Sequence, residues 1–403
     1  MSQSSFARRL LLPLIPLYRL VLAFRELRLA IGLESVRRLR FPVVSIGNLS
    51  TGGVGKTPLT IALARALKQR GLRVDVLSRG YGRDSQLAAQ VTMDGTAAEF
   101  GDEPLLIAYE ANVPVYVAPE RYDAGLLAEA DADAEAAETA PKPMPADQEH
   151  ANQPNPSPGS SASASAAESK ATGKDGPQSA QFPSGTGLTE APLPDDPSLA
   201  KDQTEAPSLP RGSVHLLDDG FQHRQLDRSV NILLLNQDDW QDWLLPAGNL
   251  REPIESARRA SVIAVPADEP ELEAELYVWG WDGPVWRLHR RMEIPLVQSP
   301  IAAFCGIARP EQFFAGLESL GLEIPLQLAF PDHFTYTREV LEELLEEARE
   351  KEVTAIVTTA KDVVRLGRLV ALFPKTMPLA VASLRVEIEN QSAAIDWLME
   401  QLR

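Results

Sequence analysis

The stretch Ser45–Pro58, SIGNLSTGGVGKTP, decides the fold prediction, because it lies between an apolar strand-like run and a helix-like pattern. Its glycines can adopt positive φ and turn their N–H groups towards phosphate oxygens. Lys56 supplies a cation, and Thr57 supplies a hydroxyl suited to Mg²⁺. We therefore predict a phosphate-binding loop made of Ser50, Thr51, Gly52, Gly53, Val54, Gly55, Lys56 and Thr57.

This loop departs from the strict pattern G-x-x-x-x-G-K-[ST] at one position, because Ser50 stands where the first glycine is expected. The core GGVGKT is still specific, and an incidental glycine-rich turn is the alternative interpretation. The strand before the loop and the helix after it both favour binding of nucleotide phosphates.

The sequence after the loop predicts a parallel βαβ unit. Leu59–Arg70 has the apolar spacing of a helix that Gly71 can end, and Leu72–Ser78 has the pattern of a strand. Further buried strands alternate with helical patterns and are predicted at Val230–Asn236, Ser261–Pro266, Ile301–Ile307 and Thr354–Thr359. The alternation predicts a second α/β layer, and the tryptophan-rich stretch Leu276–Val297 predicts a β-ribbon near the domain junction.

The composition is that of a globular protein with one unusual insertion. The 403 residues suffice for about two domains, and the 44% hydrophobic content suffices for real cores. Residues 129–212 are rich in Ala, Ser, Pro and acidic residues and hold one aromatic residue, Phe182. Such a segment buries too little apolar surface to offset the entropy of ordering. We therefore predict a disordered acidic insertion within the first domain, acting as a passive tether.

The first 35 residues are basic and apolar. Their longest uncharged run, Leu10–Tyr18, is too short to span a bilayer, which takes about 20 apolar residues. Arginines interrupt the apolar stretch, which argues against a signal peptide. We predict an amphipathic helix within residues 1–35 that lies in a membrane interface, and a helix docked on the protein's own surface is the alternative.

Residue counts exclude some kinds of site. The single cysteine, Cys305, rules out an intramolecular disulfide and a cysteine-built zinc site, and its apolar neighbours predict a small buried side chain. The five histidines show no i, i+4 metal spacing. An acidic chain without a basic, aromatic-interleaved segment gives no support to nucleic-acid binding.

Two carboxylate pairs could serve phosphoryl transfer. Asp218 and Asp219 end the apolar run in VHLLDDG, as metal-binding carboxylates of nucleotide sites do, and Asp218 is the better metal candidate. Asp102 and Glu103 precede a predicted helix in GDEPLL. A strand-end turn and a helix cap are the alternative interpretations of these two pairs.

Other polar residues stand in short loops or directly after strands. FPDHF holds His333, which on its own would more often be a packed loop residue than a catalyst. LLPAGNLREP contributes Arg251 and Glu252, and TTAKDVVRL contributes Lys361 and Arg365. Only the combination of these residues points to one function.

In combination, the motifs resemble the tetraacyldisaccharide 4′-kinase family over nearly the whole chain apart from the insertion. They are, in order, SIGNLSTGGVGKTP, LSRGYGR, GDEPLL, LLDDGFQHRQL, LLPAGNLREP, CGIARPEQF, FPDHF and TTAKDVVRL. The resemblance implies a kinase that uses ATP and Mg²⁺ to phosphorylate the 4′-hydroxyl of a tetraacylated glucosamine disaccharide 1-phosphate, giving lipid IVA in lipid A biosynthesis. It also implies action at the cytoplasmic face of the bacterial inner membrane, without an obligate protein partner.

The resemblance implies a domain arrangement as well. A P-loop NTPase-like α/β/α domain over residues 36–270 would be linked by a β-ribbon region, residues 271–300, to a smaller α/β domain over residues 301–403. The site would lie between the two domains.

Roles in the site follow from the resemblance, motif by motif. Asp102 and His333 would activate the acceptor hydroxyl, Lys56 would neutralise charge on the β- and γ-phosphates, and Arg251 would stabilise the transition state. Metal binding would fall to Thr57, Asp218, Glu103 and Glu252. Substrate binding or shaping of the site would fall to Asp219, Gln222 and His223.

Two rival interpretations are open at this stage. A regulatory ATPase of the deviant Walker type shares GGVGKT and would suit a membrane helix, but such proteins carry a lysine just before the two glycines, where this chain has Thr51. A membrane scaffold that only binds nucleotide is the other, and it predicts that Asp102→Ala and His333→Ala leave function intact.

Overall fold

The computed structural model describes residues 8, 10–139 and 212–403, and most of the predicted insertion lies outside them. Within these residues the chain has a mixed α/β fold. The helix Arg121–Thr139 runs through the first residues of the predicted disordered segment, which corrects its predicted start. The reason is packing, since Ala128 and Ala132 are buried, and alanine and glutamate favour helix.

The strands of the described residues form one twelve-stranded sheet. They are β1 (Val43–Asn48), β2 (Arg73–Ser78), β3 (Ala89–Gln90), β4 (Val115–Val117), β5 (Ser213–Asp218), β6 (Val230–Leu234), β7 (Val262–Pro266), β8 (Val285–Glu293), β9 (Ile301–Cys305), β10 (Leu326–Ala329), β11 (Ala355–Thr359) and β12 (Leu379–Ile388). Their order is β10-β9-β11-β12-β8-β7-β6-β1-β5-β2-β4-β3. Neighbours are parallel except at β8–β12 and β3–β4, as helical crossovers between strands require.

Helices connect most of the strands. They are α1 (Ile15–Ala30), α2 (Lys56–Gln69), α3 (Ala97–Phe100), α4 (Asp102–Ala111), α5 (Arg121–Thr139), α6 (Gln237–Trp240), α7 (Pro270–Val278), α8 (Pro310–Ser319), α9 (Arg338–Glu350), α10 (Ala360–Leu366) and α11 (Gln391–Gln401). Short 3₁₀ segments lie at Leu12–Leu14, Ile254–Arg259 and Gly367–Leu372.

The central strands β1 and β5 are buried along their whole length, because helices cover both faces of a parallel sheet. Their register pairs Ile46 with Asp218. The turn after β1 and the carboxylate at the end of β5 therefore meet at the same edge of the sheet, where open α/β folds bind their ligands.

The antiparallel pair β8–β12 joins the two halves of the sheet. β8 also pairs in parallel with β7 of the first half, and β12 pairs in parallel with β11 of the second half. Region 271–300, predicted as a β-ribbon, thus contributes one strand of a two-stranded connection. Its first residues belong instead to helix α7, in which Leu272 and Leu276 are buried at i, i+4 spacing.

Cys305 ends strand β9 with its side chain fully buried. Burial, together with the nearby Asp362 carboxylate, raises the pKa of its thiol to about 12. The prediction of a small buried side chain is confirmed.

Helix α1 has two opposite faces. Ile15, Tyr18 and Leu22 pack against the core, and the Tyr18 hydroxyl donates to the carbonyl of Arg251 at 2.9 Å. The other face leaves large apolar side chains exposed, here called the α1 stripe: Leu17, Leu20, Val21, Phe24, Leu27 and Ile31. Among the described helices, none is long and apolar enough to cross a membrane.

A buried charge cluster lies away from the carboxyl ends of the strands and ties helix α5 to the sheet. His215 of β5 is fully buried between Asp75 of β2 and Glu129 of α5, at 3.5 and 3.6 Å from their carboxylate oxygens. Arg73 lies 3.3 Å from the other oxygen of Asp75. Removing His215 takes away the group that lies between two buried carboxylates.

We expect His215→Ala to lower the free energy of unfolding by about 3 kcal/mol, because Asp75 and Glu129 lose the group between them. Urea denaturation measures the change. His289→Ala is the control, since His289 is half-exposed beside Glu389 and should change stability by less than about 0.5 kcal/mol. Equal effects of the two substitutions would contradict the prediction.

Candidate active site

A glycine-rich loop, residues 49–55, connects strand β1 to helix α2, which begins at Lys56. Gly55 adopts φ 97°, a left-handed conformation that glycine takes without strain. Arg290 of β8 supports the loop, because its guanidinium donates to the carbonyl of Val54 at 2.7 Å. The first N–H groups of α2 have no partners inside the helix, and they are free to bind an anion.

A cavity of about 1020 Å³ opens beside this loop. All the predicted phosphate-binding residues line it except Val54, whose side chain is buried in the core. The other predicted site residues that line it are Glu103, Asp218, Asp219, Arg251 and His333. Asp102 is buried and contacts His333 from behind the cavity wall.

The pair Asp102–His333 is built from two distant parts of the chain. Asp102 begins helix α4, and His333 lies in the loop between β10 and α9. Nδ1 of His333 lies 3.1 Å from Oδ2 of Asp102. His333 adopts φ 60°, which is uncommon for a residue other than glycine. Its backbone N–H donates to the Asp332 carboxylate at 3.0 Å. Strained backbone of this kind clusters at functional sites.

The charge state of Asp102 is set by its neighbours. Burial alone would raise its pKa, but Lys361 and Arg365 outweigh burial, so that the pKa lies below its usual range. Asp102 is therefore an anion at neutral pH. It can accept a hydrogen bond from the Nδ1–H of His333 and so fix the tautomer of that ring.

Asp218 and Glu103 lie close together at the same cavity. Burial raises the pKa of Asp218 to about 7, with further increases from Glu103 and Asp219. Carboxylates that repel one another beside a phosphate loop and Thr57 fit Mg²⁺, which binds one or two carboxylates and completes its shell with phosphate oxygens and water. The described part of the chain has no group of three or more acidic, His or Cys side chains that could hold a metal ion unaided.

Asp219 forms ion pairs with two cations of the site, Lys56 and Arg251. Burial would raise its pKa, but Lys56 and Arg251 lower it to about 2. Arg251 binds both Asp219 oxygens, at 3.0 and 3.1 Å, and the Asn48 side chain at 2.6 Å. Lys56 Nζ lies 2.9 Å from the same Asn48 oxygen and 3.5 Å from Asp219. Both cations are therefore positioned by the protein itself.

Besides Val54 and Asp102, three predicted residues do not line this cavity. Gln222 donates to the carbonyl of Asn48 at 2.7 Å and so supports the start of the loop. Burial and nearby arginines lower the pKa of His223 to about 4, which keeps its ring neutral. Glu252 forms an ion pair with Arg259 and faces a separate groove, so the structure does not bring it to the other metal candidates.

Sequence reasoning missed two arginines and an aromatic ring. Arg79 follows β2 and Arg121 begins α5, and both line the cavity without an ion pair to any described residue. Arg121 is 8% exposed, and its buried Nε has no hydrogen-bond partner. The exposed Tyr81 ring lies 5.8 Å from the His333 ring. The motif LSRGYGR contained a signal for Arg79 and Tyr81, but no local pattern marks Arg121.

The cavity is lined by a glycine-rich loop with Lys56 and by His333, whose ring contacts Asp102. A phosphate loop with a cation and a histidine–carboxylate pair are groups that phosphoryl transfer uses, so fold and site are those of an α/β kinase. Comparison with known proteins identifies a family within that class. The chain belongs to the tetraacyldisaccharide-1-P 4′-kinase family (LpxK), whose family model matches residues 7–137 and 203–403.

Individual relatives agree with this family assignment. The chain is 34% identical over 398 residues to a tetraacyldisaccharide 4′-kinase of Koribacter versatilis, covering 96% of this chain and 97% of the relative. It is 30% identical over 376 residues to the enzyme of Aquifex aeolicus, covering 89% and 90%. A crystal structure of LpxK from Aquifex aeolicus in complex with ATP superposes with a TM-score of 0.64 at 26% identity, covering 98% of this chain and 100% of that one.

Proposed function

We propose that this chain is an ATP-dependent kinase that phosphorylates the 4′-hydroxyl of tetraacyldisaccharide 1-phosphate to give lipid IVA in lipid A biosynthesis. The observation that carries the proposal is the Asp102–His333 pair, 3.1 Å apart, at the cavity shared with the glycine-rich loop. Family membership and the likeness to an ATP-bound relative support it. A regulatory ATPase or a nucleotide-binding scaffold would need no such pair.

We assign two domains to the described residues, as the family resemblance implies. Residues 36–270 form a P-loop NTPase-like domain, and residues 301–403 form the smaller α/β domain. The pair β8–β12 is the ribbon between them, and this assignment is supported by its antiparallel register within an otherwise mainly parallel sheet. The acceptor binds between the two domains, because Asp102 comes from one and His333 from the other.

The nucleotide side of the site neutralises phosphate charge. Loop N–H groups and Lys56 bind the β- and γ-phosphates. Arg251, whose fork is held by Asp219, adds positive charge beside the transferred group. Mg²⁺, when held by Thr57 and Asp218 with Glu103, supplies further charge neutralisation on the phosphate oxygens. Asp219 keeps both cations in position before the nucleotide binds.

The acceptor side of the site removes a proton. Ionised Asp102 accepts the Nδ1–H of His333, which leaves the Nε2 lone pair free for the proton of the 4′-hydroxyl. The 4′-oxygen forms a bond to the γ-phosphorus as the bond to the ADP oxygen breaks, and the proton remains on Nε2. The lowered pKa of Asp102 favours this division of roles, because a carboxylate held as an anion orients the base better than it stores a proton.

Unpaired cations on the acceptor side fit an anionic sugar. Arg79 and Arg121 stand at the ends of neighbouring strands β2 and β4, beyond β5 from the nucleotide loop. Neither forms a close ion pair with a described carboxylate, although the charges of Asp219 and Asp218 act on Arg121. A phosphate group on the acceptor would supply a direct partner. Tyr81 offers a flat apolar face to a sugar ring beside the base.

The α1 stripe suits a lipid acceptor. Six large apolar side chains lie exposed on one helix face, whereas the opposite face docks beside Arg251 of the active site. We assign α1 to the membrane interface, at the cytoplasmic face of the inner membrane, because a four-chain lipid leaves the bilayer at a cost of about 0.8 kcal/mol for each exposed CH₂.

We expect the triple variant L20Q/F24Q/L27Q to lower turnover of acceptor in vesicles about tenfold or more, while ATP affinity stays unchanged. These substitutions spare the docked face with Tyr18 and Leu22. V278Q/L296Q/L320Q is the matched control, since these apolar residues are exposed elsewhere on the protein. Steady-state kinetics measure turnover and ATP affinity, and vesicle flotation measures membrane binding. Undiminished flotation of the α1 variant would contradict the membrane assignment.

The direct test of the proposed function is transfer of label from γ-labelled ATP to tetraacyldisaccharide 1-phosphate in detergent micelles with Mg²⁺. We expect labelled lipid with the wild-type protein and a loss of about 10³-fold with Asp102→Asn, whose amide cannot hold the His333 tautomer. Hydrolysis of ATP without labelled lipid would refute the kinase and favour the regulatory ATPase.

A further inference from the structure

Helix α10 presents two cations, Lys361 and Arg365, one turn apart on the same face. They meet the two carboxylates that begin helix α4. Lys361 Nζ lies 2.9 Å from Glu103 Oε1, and Arg365 Nε lies 2.9 Å from Asp102 Oδ2. Helix α4 follows strands of the first half of the sheet, and α10 follows β11 of the second half. The two ion pairs therefore bridge the halves.

The Arg365 guanidinium contacts every segment from which the Asp102–His333 pair is built. Its side chain is 5% exposed. Nη1 donates to the carbonyl of Gly306, after β9, and lies 3.2 Å from the Asp362 carboxylate. Nη2 binds Asp102 Oδ2 and lies 3.5 Å from Nδ1 of His333. A planar group with five donors can hold several acceptors in fixed directions, whereas an ammonium group acts as a point charge.

We propose that Arg365 is a positioning residue for phosphoryl transfer: it fixes the Asp102 carboxylate against His333 across the junction of the two halves, and Lys361 assists it through Glu103. This inference rests on the proposed function, because it concerns the same transfer step. Its consequence is that the base is complete only while α10 lies against α4. With the halves apart, His333 loses the Asp102 carboxylate at Nδ1.

The packing around His333 supports the positioning role of Arg365. The loop that carries His333 rests on aromatic rings, with Phe330 and Phe334 stacked at a centroid distance of 4.7 Å. Those rings fix the loop within the second half but do not reach Asp102. Arg365 makes the link between the loop and Asp102, because it donates to Asp102 and its Nη2 lies 3.8 Å from the Asp332 carboxylate in the loop.

The experiment compares R365M, R365K and R368M in the lipid-labelling reaction. We expect R365M to lower kcat about 10²-fold with a KM for ATP within about twofold of wild type, because a small misplacement of a catalytic group costs about that factor. R365K should recover part of the loss, since it keeps the charge but not the fork. R368M should match wild type, because Arg368 is an exposed arginine three residues further on.

A double-variant test separates positioning from a merely structural role. If Arg365 acts through the pair, R365M should lower kcat less than about twofold further in a His333→Asn background. Full additivity of the two losses, or a parallel loss of ATP affinity in R365M, would overturn the proposal. Should R365M not fold, R365K decides: a kcat about tenfold lower at unchanged KM for ATP supports positioning, and wild-type kcat overturns it.

Failure of the proposed function gives a different result from failure of this inference. A wild-type protein that labels no lipid refutes the kinase itself. A wild-type protein that labels lipid, together with an R365M variant of unchanged kcat, refutes the positioning role alone.

Discussion

Replacing His333 with asparagine is expected to lower kcat for lipid phosphorylation about 10³-fold, while the KM for ATP stays within about twofold of wild type. Positioned general bases contribute about 10²- to 10⁴-fold, and an amide cannot accept the hydroxyl proton. Asparagine is chosen because it tolerates the left-handed conformation of His333, at φ 60°, better than alanine does. Steady-state kinetics with γ-labelled ATP measure both constants.

The pairing of His333 with Asp102 gives this prediction an internal control. If the two residues act as a unit, the double variant D102N/H333N should be about as slow as the slower single variant, because each single change already disables the pair. A double variant whose loss in kcat equals the product of the two single losses would show that the residues act separately. A His333→Asn variant that keeps wild-type kcat would show that another group takes the proton.

The predicted phosphate loop could be read from the sequence because its chemistry is local. Strand, glycine-rich loop, lysine and helix follow one another within Ser45–Pro58, and the structure places them in that order around one cavity. Buried strands were predicted with similar success, since runs such as Val230–Leu234 and Ala355–Thr359 are apolar on both faces of a parallel sheet.

The acceptor side depends on contacts between distant parts of the chain, which local patterns do not encode. The partnership of Asp102 with His333 came only from family resemblance. The side chains of Arg121 and Arg365 are buried by tertiary packing. Arg365 stands in the motif TTAKDVVRL, but that motif does not show that Arg365 contacts Asp102, and no local pattern marks Arg121. Glu252 shows the reverse case: it stands next to Arg251 in sequence, but the structure pairs it with Arg259 in another groove.

Replacing Asp218 with asparagine is expected to change activity and stability in opposite directions. kcat should fall about 10³-fold, because a carboxylate of the metal set is lost. The free energy of unfolding at pH 8, without divalent ions, should rise by about 2 kcal/mol, because the ionised Asp218 is buried beside Glu103 and Asp219. The amide oxygen can still accept the hydrogen bond from the Thr60 hydroxyl, so the change removes charge and little else.

The pH dependence of that stability difference is the sharper test. Burial raises the pKa of Asp218 from 3.8 to about 7 in the folded state, so the folded wild type holds this proton more tightly than the unfolded chain does. Its stability therefore falls as the pH rises from about 4 to about 7, and the asparagine variant lacks this loss. Urea unfolding should give a variant that is more stable than wild type, by a margin that grows from pH 5 to pH 8.

Two comparisons determine whether the effect belongs to a cation site. Asp227→Asn, which removes an exposed partner of Arg38, should change stability by less than about 0.5 kcal/mol at both pH values. Adding Mg²⁺ at pH 8 should stabilise wild type and leave Asp218→Asn nearly unchanged, because only the carboxylate set binds the ion. A variant less stable than wild type at both pH values would show that Asp218 supports the fold. A variant more stable than wild type at pH 8 would show that the folded chain retains a destabilising charge whose repulsion a bound cation relieves.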